Sequence, residues 1–302
     1  MRALVTGCRG QVGAELLRAL EGRAELIARD RASLDLSDAG AIRKCVRDER
    51  PQLILNAGAY TAVDKAESDL AAARAVNAAA PGVLAEEAKR IGALLVHFST
   101  DYVFDGTKPA PYVESDPTRP VSAYGLTKLE GEEAIRVVGC DHVVLRTSWV
   151  YGARGKNFLL TMLRLAATQD EIRVVDDQRG APTASRQIAE GVVGLLLGAA
   201  RDRPLAEADL GRLREASGLY HFTAGGAASW FEFAQAIFSE RATQLGQAFT
   251  VPRLVAIPTS EYPTPAKRPA NSVLSNEKLA ATFGVRLPGW REGLRETLSA
   301  LA

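Results

Sequence analysis

The chain has 302 residues, enough for one large domain or for a main domain with a smaller companion. Hydrophobic residues make up 47% of it, so a sizeable core can form. The 37 lysines and arginines nearly balance the 36 aspartates and glutamates. This balance argues against nucleic acid or an anionic membrane as the main partner, because binding to phosphate-rich surfaces normally needs a basic surplus.

The cysteines and the apolar runs favour a cytoplasmic protein. Cys8, Cys45 and Cys140 lie far apart and form no CxxC pair, as expected of reduced thiols rather than of a disulfide framework or a zinc site. The first apolar run, Ala3–Val5, is too short for a signal peptide. We expect no membrane-spanning segment, because no apolar stretch reaches about 18 residues.

The first half of the chain alternates short apolar runs with helical patterns. Strands are predicted at 3–6, 26–28, 53–56, 94–98 and 143–146, and helices at 11–20, 39–49, 69–90 and 121–138. This alternation is typical of an α/β fold with a doubly wound parallel (Rossmann) sheet. Polar motifs that follow the strands should therefore meet at the carboxyl edge of the sheet.

The second half is less regular. Helices are predicted at 158–167, 188–200 and 230–240, strands at 172–175 and 220–222, and an irregular proline-rich loop at 257–271. We expect residues 1–150 to form a dinucleotide-binding core, to which later elements around 170–220 add. Residues 151–302 should mainly form a smaller, discontinuous α/β substrate-binding domain.

A glycine loop follows the first predicted strand. Gly7, Gly10 and Gly13 have the spacing G-x-x-G-x-x-G, and a helical pattern begins at once. Glycines let the backbone approach a pyrophosphate, whose charge the free N–H groups of a helix start stabilise. A glycine trio alone also fits an ordinary tight turn, but its place between strand and helix indicates dinucleotide binding.

Charged residues at the end of the second strand affect the choice of cofactor. Asp30 suits a ribose hydroxyl and favours NADH, whereas Arg29 suits a 2′-phosphate and favours NADPH. Both also fit ordinary exposed charges, so NADPH or NADH is left open. Asp35 and Leu36 suit the edge and the face of an adenine. Small residues at 56–61, after the third strand, would let a cofactor lie close to the backbone.

Tyr124 and Lys128 form a Y-x-x-x-K pattern on the helix predicted after the fourth strand. Residues i and i+4 share one helix face, so both side chains can point into one cleft. Tyrosine has a free pKa near ~10, and a nearby ammonium should lower this pKa. The pattern is also common by chance as an exposed pair. Its place in a dinucleotide fold favours acid–base chemistry.

A third catalytic group is expected in the Ser-Thr-Asp-Tyr segment 99–102, directly after the fourth strand. A hydroxyl there can hydrogen-bond a carbonyl oxygen, and Thr100 is favoured over Ser99, although such residues also suit a turn. The sequence thus predicts hydride transfer from a reduced nicotinamide to a carbonyl carbon. Tyr124 would donate the proton, and Thr100 would stabilise the charge on oxygen.

These motifs together resemble the dTDP-4-dehydrorhamnose reductases, a family of extended short-chain dehydrogenases, over almost the whole chain. The motifs are GCRGQVG (7–13), AYTAVDKAE (59–67), STDYVFDG (99–106), YGLTK (124–128), RTSWVY (146–151), DQRGAPT (177–183) and RPANS (268–272). The first and the fourth occur across the superfamily, and the others are more specific. The resemblance implies NADPH- or NADH-dependent reduction of the 4-keto group of dTDP-4-dehydro-L-rhamnose to dTDP-L-rhamnose.

The resemblance also implies roles for single residues. Besides Gly7 and Gly13, those implied to contact the cofactor are Gly10, Gln11, Val12, Asp30, Asp35, Leu36, Ala59, Tyr60, Thr61, Phe98, Tyr124 and Lys128. Those implied to contact the dTDP-sugar are Thr100, Asp101 and Trp149, with Asn157, Arg268 and the loop 177–183 as further candidates. Trp149 also fits an ordinary core aromatic. The chain departs from the family at Phe98, usually tyrosine, and at Gly58, usually alanine.

Some members of the family bind magnesium at a glutamate-lined contact between two subunits. Glu15 and Glu190 lie in the matching regions, but acidic residues on helices are usually solvated. We therefore assign no metal ligands, and leave Mg²⁺ and a homodimer open. The histidines, His97, His142 and His221, show no ligand spacing and are expected to be structural.

Other functions compete with this one. A nucleotide-sugar dehydratase needs a glutamate where this chain has Tyr102, and a 4-epimerase lacks segments like 177–183 and 268–272. A reductase of another 4-keto-6-deoxy nucleotide sugar stays open, since it differs in pocket shape alone. A non-catalytic regulatory subunit of the same fold, like that of animal methionine adenosyltransferase, also stays open, although the complete catalytic set favours an enzyme.

Overall fold

The computed structural model describes residues 1–301 and is built around a parallel sheet. In chain order its strands are β1 (Arg2–Thr6), β2 (Glu25–Arg29), β3 (Leu53–Asn56), β4 (Leu94–Thr100), β5 (His142–Thr147), β6 (Val150–Tyr151), β7 (Glu171–Val175), β8 (Arg179–Gly180), β9 (Thr183–Ala184), β10 (Gly218–His221), β11 (Ala228–Ser229) and β12 (Arg253–Ile257). Six of them form the central sheet in the spatial order β2-β1-β3-β4-β5-β10, all parallel. The predicted fold class is therefore confirmed.

Helices cover both faces of this sheet. In chain order they are α1 (Gln11–Leu20), α2 (Ala39–Glu49), α3 (Val63–Ala66), α4 (Leu70–Arg74), α5 (Ala80–Ile91), α6 (Ala123–Val138), α7 (Phe158–Ala166), α8 (Ser185–Leu197), α9 (Gly211–Glu215), α10 (Trp230–Leu245), α11 (Glu277–Phe283) and α12 (Trp290–Ser299). Alternate strand residues separate two cores: Val5 and Leu55 pack toward α1 and α8, whereas Leu4 and Ile54 pack toward α2 and α5. No helix within residues 1–301 is long and apolar enough to cross a bilayer.

The helix predicted at 69–90 is interrupted. α4 leads into a π-helical turn, Ala75–Ala79, before α5 begins. Such turns rotate the residues that follow and are often found at functional sites. Here the turn contains Asn77, which is buried.

A third core lies in the C-terminal half. It is formed by apolar residues between Tyr151 and Leu298, mainly from α7, α10 and α12. The same half also supplies β10 to the central sheet and α8 to the helices that pack on it. The division near residue 150, with additions from elements around 170–220, stays a proposal.

Candidate active site

The candidate site lies at the carboxyl edge of the sheet, where the strand order reverses. β1 has β2 on one side and β3 on the other, an arrangement that opens a crevice at the strand ends. Gly7 follows β1 with φ +63°, in the left-handed region. A Cβ atom on Gly7 would lie 2.6 Å from Cα of Gly58, after β3. The glycine loop is therefore packed against the neighbouring strand end with no room for a side chain.

The loop leads directly into α1. The N–H of Gly10 donates to the carbonyl oxygen of Gly7 (2.8 Å) and closes the turn. A Cβ atom on Gly13 would run into the same carbonyl, so the helix approaches the loop closely. α1 begins at Gln11 without a side-chain cap. Uncapped N–H groups beside bare backbone form the cradle that a pyrophosphate requires.

Asp30 lies beside this loop. Its carboxylate pairs with Arg9 (2.8 Å) and accepts from the N–H and the hydroxyl of Ser33, and these hydrogen bonds lower its pKa. Arg29 has another partner, since its guanidinium pairs with Glu49, the last residue of α2 (2.5 Å). In this arrangement Asp30, not Arg29, is the charged side chain next to the glycine loop.

Asp35 and Leu36 follow in the same region. Oδ1 of Asp35 accepts from the N–H and the hydroxyl of Ser37 (2.9 and 2.8 Å), and the resulting turn lowers the pKa of the carboxyl. Leu36 is buried, and its Cδ1 would lie 2.5 Å from a Cβ atom on Gly58. The glycine that departs from the family pattern thus has a packing reason in this chain.

Asn77, which the sequence analysis missed, holds the segment after Gly58. Its Oδ1 accepts from the N–H of Tyr60 (2.9 Å), and its Nδ2 donates to the Tyr60 carbonyl (3.0 Å) and to Oγ1 of Thr127 on α6 (3.2 Å). The segment with Ala59, Tyr60 and Thr61 is thereby tied to the helix that contains Tyr124. The only sequence signal was one asparagine in an alanine-rich helical run.

Tyr124 lies in the first turn of α6, tightly packed against the end of β4. The hydroxyl of Ser122 caps the helix by accepting from the N–H of Gly125 (3.2 Å). A Cβ atom on Gly125 would run into the carbonyl of Tyr102. The rings of Tyr102 and Tyr124 meet edge to face at 5.8 Å. Burial raises the pKa of Tyr124 to about 12, opposed by a hydrogen bond with Thr100.

The expected lowering of the Tyr124 pKa by Lys128 is therefore wrong, because burial raises this pKa and the other groups that shift it are Thr100 and Asp101. Lys128 is only 2% exposed. Its Nζ donates to the carbonyl of Phe98 (2.5 Å) and lies 3.2 Å from Nε2 of His97. Burial lowers the pKa of Lys128 to about 8, although the charge of Glu132 opposes this shift. A tyrosine that keeps its proton suits an acid better than a base.

The two hydroxyls at the end of β4 have different partners. Oγ1 of Thr100 donates to Oδ1 of Asp101 (3.0 Å). Ser99 donates to Glu132 (2.5 Å), which also forms a buried ion pair with Arg146 (2.7 Å). Ser99 thus belongs to a polar group behind the site, and Thr100 is the hydroxyl beside Tyr124.

Asp101 is 2% exposed, and burial raises its pKa to about 7. One carboxyl oxygen accepts from Thr100. The other, Oδ2, is buried and makes no hydrogen bond of good geometry among residues 1–301, although the hydroxyl of Ser272 lies close enough to Asp101 to lower its pKa. A buried polar atom without a partner is costly, so this oxygen is suited to a hydroxyl group of a ligand.

Trp149 follows β5 with φ +48°, a strained conformation for an aromatic residue. Its indole stacks on that of Trp230 from α10, with ring centroids 3.5 Å apart and planes inclined by 2°. Nε1 of Trp230 in turn donates to Oε1 of Gln178 (3.2 Å). Trp149 is thus half-buried against the C-terminal half. Trp149, Trp230 and Gln178 together form one side of the candidate site. Trp230 was not predicted from the sequence as a site residue.

Arg268 joins the proline-rich loop to the opposite side of the site. Its guanidinium forms a bidentate pair with Asp64 (2.6 and 2.8 Å), which the sequence analysis did not single out. It also hydrogen-bonds the side chain of Tyr102, and both partners raise the pKa of Arg268 against the effect of burial. The loop 257–271 therefore ends against Tyr102, next to Tyr124.

Asn157 is engaged elsewhere. Its Oδ1 caps α7 by accepting from the N–H of Leu160 (3.0 Å), and its Nδ2 donates to Oε1 of Gln11 (2.8 Å) and to the carbonyl of Gly152 (2.9 Å). It connects the start of α1 to the C-terminal half.

The two glutamates considered for magnesium have arginine partners. Glu15 pairs with Arg18 (2.7 Å) and Glu190 with Arg186 (2.8 Å). Within residues 1–301, no three His, Cys, Asp or Glu side chains are grouped so as to hold a metal ion. Whether two chains share a magnesium ion therefore stays open, as it does from the sequence.

Comparison with known proteins identifies the family. The family model described as the RmlD substrate binding domain matches residues 1–302. A dTDP-4-dehydrorhamnose reductase from Burkholderia thailandensis is 51% identical over 96% of both chains. A crystal structure of such a reductase from Clostridium acetobutylicum has a TM-score of 0.89 and 37% identity, covering 100% of this chain and 99% of that one. One from Bacillus anthracis, in complex with NADP, has a TM-score of 0.86 and 31% identity over 99% of both. The chain therefore belongs to the dTDP-4-dehydrorhamnose reductase family.

Proposed function

We propose that the chain reduces the 4-keto group of dTDP-4-dehydro-L-rhamnose to dTDP-L-rhamnose with NADPH or NADH. The main support is that Thr100, Tyr124 and Lys128 are grouped at the strand ends of a chain similar, over its whole length, to proteins of that name. The side-chain-free cradle around Gly7 and Gly13 would hold the pyrophosphate. A reduced nicotinamide bound there supplies a hydride to the carbonyl carbon.

Tyr124 is proposed as the proton donor. Negative charge develops on the carbonyl oxygen during reduction, and the resulting alkoxide is far more basic than a phenolate. A half-buried phenol with a raised pKa holds its proton until that charge forms and then transfers it. The ammonium of Lys128 stabilises the phenolate left behind. The hydroxyl of Thr100, bonded to Asp101 at rest, can turn to the same oxygen and stabilise its charge.

The sugar nucleotide is proposed to lie between Asp101 and Trp149. The open carboxyl oxygen of Asp101 suits a sugar hydroxyl, and the exposed part of the indole offers an apolar surface. Arg268 and Asn157 would contribute indirectly. The first holds the proline-rich loop against Tyr102, and the second holds α7 against α1.

The test is a coupled assay that begins with dTDP-glucose and the two preceding enzymes of the pathway. Oxidation of NADPH and of NADH is followed separately. Mass spectrometry should show a product that is heavier than the ketosugar nucleotide by two hydrogens. Turnover with another 4-keto-6-deoxy nucleotide sugar instead would favour the alternative reductase. Absence of oxidation with every such substrate would favour the regulatory subunit.

A further inference from the structure

A row of buried polar side chains crosses the sheet beneath the active site. Thr6, Asn56 and His97 lie on the neighbouring strands β1, β3 and β4 and are register partners, so their side chains point to the same face. Oγ1 of Thr6 lies 2.6 Å from Oδ1 of Asn56, and Nδ2 of Asn56 lies 2.9 Å from Nδ1 of His97. Nε2 of His97 lies 3.2 Å from Nζ of Lys128. None of the four residues is more than 2% exposed.

The positions of the row are ones where apolar residues would pack. Leu4, Ile54 and Leu95, two residues earlier on the same strands, belong to the core on this face. Buried polar groups at the end of such a core are costly unless each forms a hydrogen bond. In this row each side chain hydrogen-bonds the next, so removing one leaves its neighbour without a partner. If the row were purely structural, changing it would alter stability and leave the role of Lys128 unaffected. The contact between His97 and Lys128 indicates that the row also acts on Lys128.

The charge of Lys128 determines where the protons of the row lie. An ammonium has only N–H donors, so Nε2 of His97 must be unprotonated to accept from it. The ring proton then lies on Nδ1 and needs an acceptor, which is the amide oxygen of Asn56 after a half-turn of its carboxamide. The opposite tautomer would direct two donors at each other in a buried site. Burial and the nearby Lys128 also keep the pKa of His97 well below its usual value, so the ring stays neutral.

We infer that His97 is a positioning residue that, with the carbonyl of Phe98, fixes the ammonium of Lys128 for its role at the cofactor and Tyr124. Two of the three N–H groups of Lys128 are occupied by these acceptors, and one remains for a ligand. Thr6 extends the row, because its hydroxyl accepts from the N–H of Gly58 (3.2 Å), which packs on the glycine loop. The inference rests on the proposed function for its catalytic consequence only.

The test compares three variants of the full chain. His97→Leu removes the acceptor with little change in volume, and His97→Gln restores an oxygen that can accept from Lys128. His221→Leu is the matched control, since that histidine is also buried on the sheet, on β10, where its charged neighbour is Arg146 instead of Lys128. NADPH affinity is measured by fluorescence titration, and kcat and KM with the ketosugar nucleotide.

We expect His97→Leu to weaken NADPH binding and to lower kcat by about tenfold each, while KM for the sugar changes by less than about twofold. His97→Gln should recover most of both losses. His221→Leu should lower stability and leave kcat and NADPH affinity unchanged. Equal kcat and NADPH affinity in His97→Leu and His221→Leu would reduce the row to a structural role.

A second measurement uses the unmodified protein and does not depend on activity. Proton–nitrogen correlation NMR spectra of the three histidine rings report which nitrogen carries the proton, and His97→Gln identifies the His97 signals. We expect His97 to be protonated on Nδ1 near neutral pH. A proton on Nε2 would overturn the inference, even if His97→Leu did not fold. Lack of ketosugar reduction by the unmodified protein would refute the proposed function alone, because cofactor affinity and the tautomer still test the hold on Lys128.

Discussion

Tyr124 is a half-buried phenol with a raised pKa, next to a hydroxyl and one helical turn from a buried ammonium. Tyr124→Phe removes the proton donor and little volume. We expect kcat to fall by about 10²- to 10⁴-fold, because general acid catalysis contributes on that order. NADPH affinity should change by less than about twofold, since cofactor contacts remain. Tyr262→Phe, at an exposed tyrosine, is the control and should leave kcat and NADPH affinity unchanged. Near-normal turnover of Tyr124→Phe would refute the assignment of Tyr124 as the proton donor.

Asp30 is the charged residue that should set cofactor preference. Its carboxylate lies beside the glycine loop, where the negative charge repels a 2′-phosphate. Asp30→Ala should raise the ratio of kcat/KM for NADPH to that for NADH by about tenfold. Arg29→Ala should leave the ratio unchanged, because this guanidinium pairs with Glu49. A ratio that responds to Arg29→Ala instead would assign the 2′ position to Arg29.

At the level of residues, the sequence predicts what local spacing encodes. Tyr124 and Lys128 share a helix face, and Thr100 ends a strand, so each can be identified from its own neighbourhood. His97, Asn77 and Trp230 cannot, because their partners lie on elements distant in sequence. A buried histidine next to a strand end has the same local pattern whether its charged neighbour is Lys128, as for His97, or Arg146, as for His221.

The helix α6 contains the proposed catalytic pair, and its close approach to the turn after β4 depends on Gly125. A Cβ atom there would meet the backbone of Tyr102, which cannot move aside as a side chain could. We expect Gly125→Ala to cost about 1–3 kcal/mol of stability, as overpacking does, and to lower kcat by displacing Tyr124. Urea unfolding and steady-state assays measure both.

The control for this substitution is Gly211→Ala at the start of α9. A Cβ atom at Gly211 would have no neighbour within 4 Å, so we expect no loss of stability or turnover. If Gly125→Ala behaved like Gly211→Ala in both measurements, the close contact between α6 and β4 would not determine the position of Tyr124.

At the level of elements, the strands and helices of the first half follow the prediction closely, since their hydrophobic periods are clear. The π turn of Ala75–Ala79 does not show in the sequence, because the partner of its buried Asn77, Tyr60, lies outside the helical run. β7 and β12 pair in parallel although about eighty residues separate them. β12 was not predicted, as a short strand beside a proline-rich loop gives little periodic signal.

Taken as a whole, the molecule joins its two halves around the site. Asn157 bonds Gln11 across the start of α1, and Arg268 bonds Asp64 across the segment after β3. These contacts connect the glycine loop and the catalytic edge with elements of the C-terminal half. A domain division near residue 150 would therefore separate two cores but not two independent sites.

Two buried groups should make stability depend on pH in opposite directions. Burial, aided by Arg146, lowers the pKa of His221 from 6.5 to about 3, so stability is lost as pH falls through this range, where the unfolded chain binds more protons. Burial raises the pKa of Asp101 from 3.8 to about 7, so stability is lost as pH rises, because the folded chain binds the proton more tightly.

Substitution of each group isolates its effect, because all other titrations are common to variant and unmodified protein. Relative to the unmodified protein, His221→Leu should gain stability as pH falls from about 6.5 toward 4, and Asp101→Asn as pH rises from about 4 to 7. Urea unfolding at several pH values in this range measures both differences. Differences that stay flat would mean that these groups reach water in the folded protein. Opposite slopes would show that the sheet keeps one histidine neutral and one carboxyl protonated at the same edge.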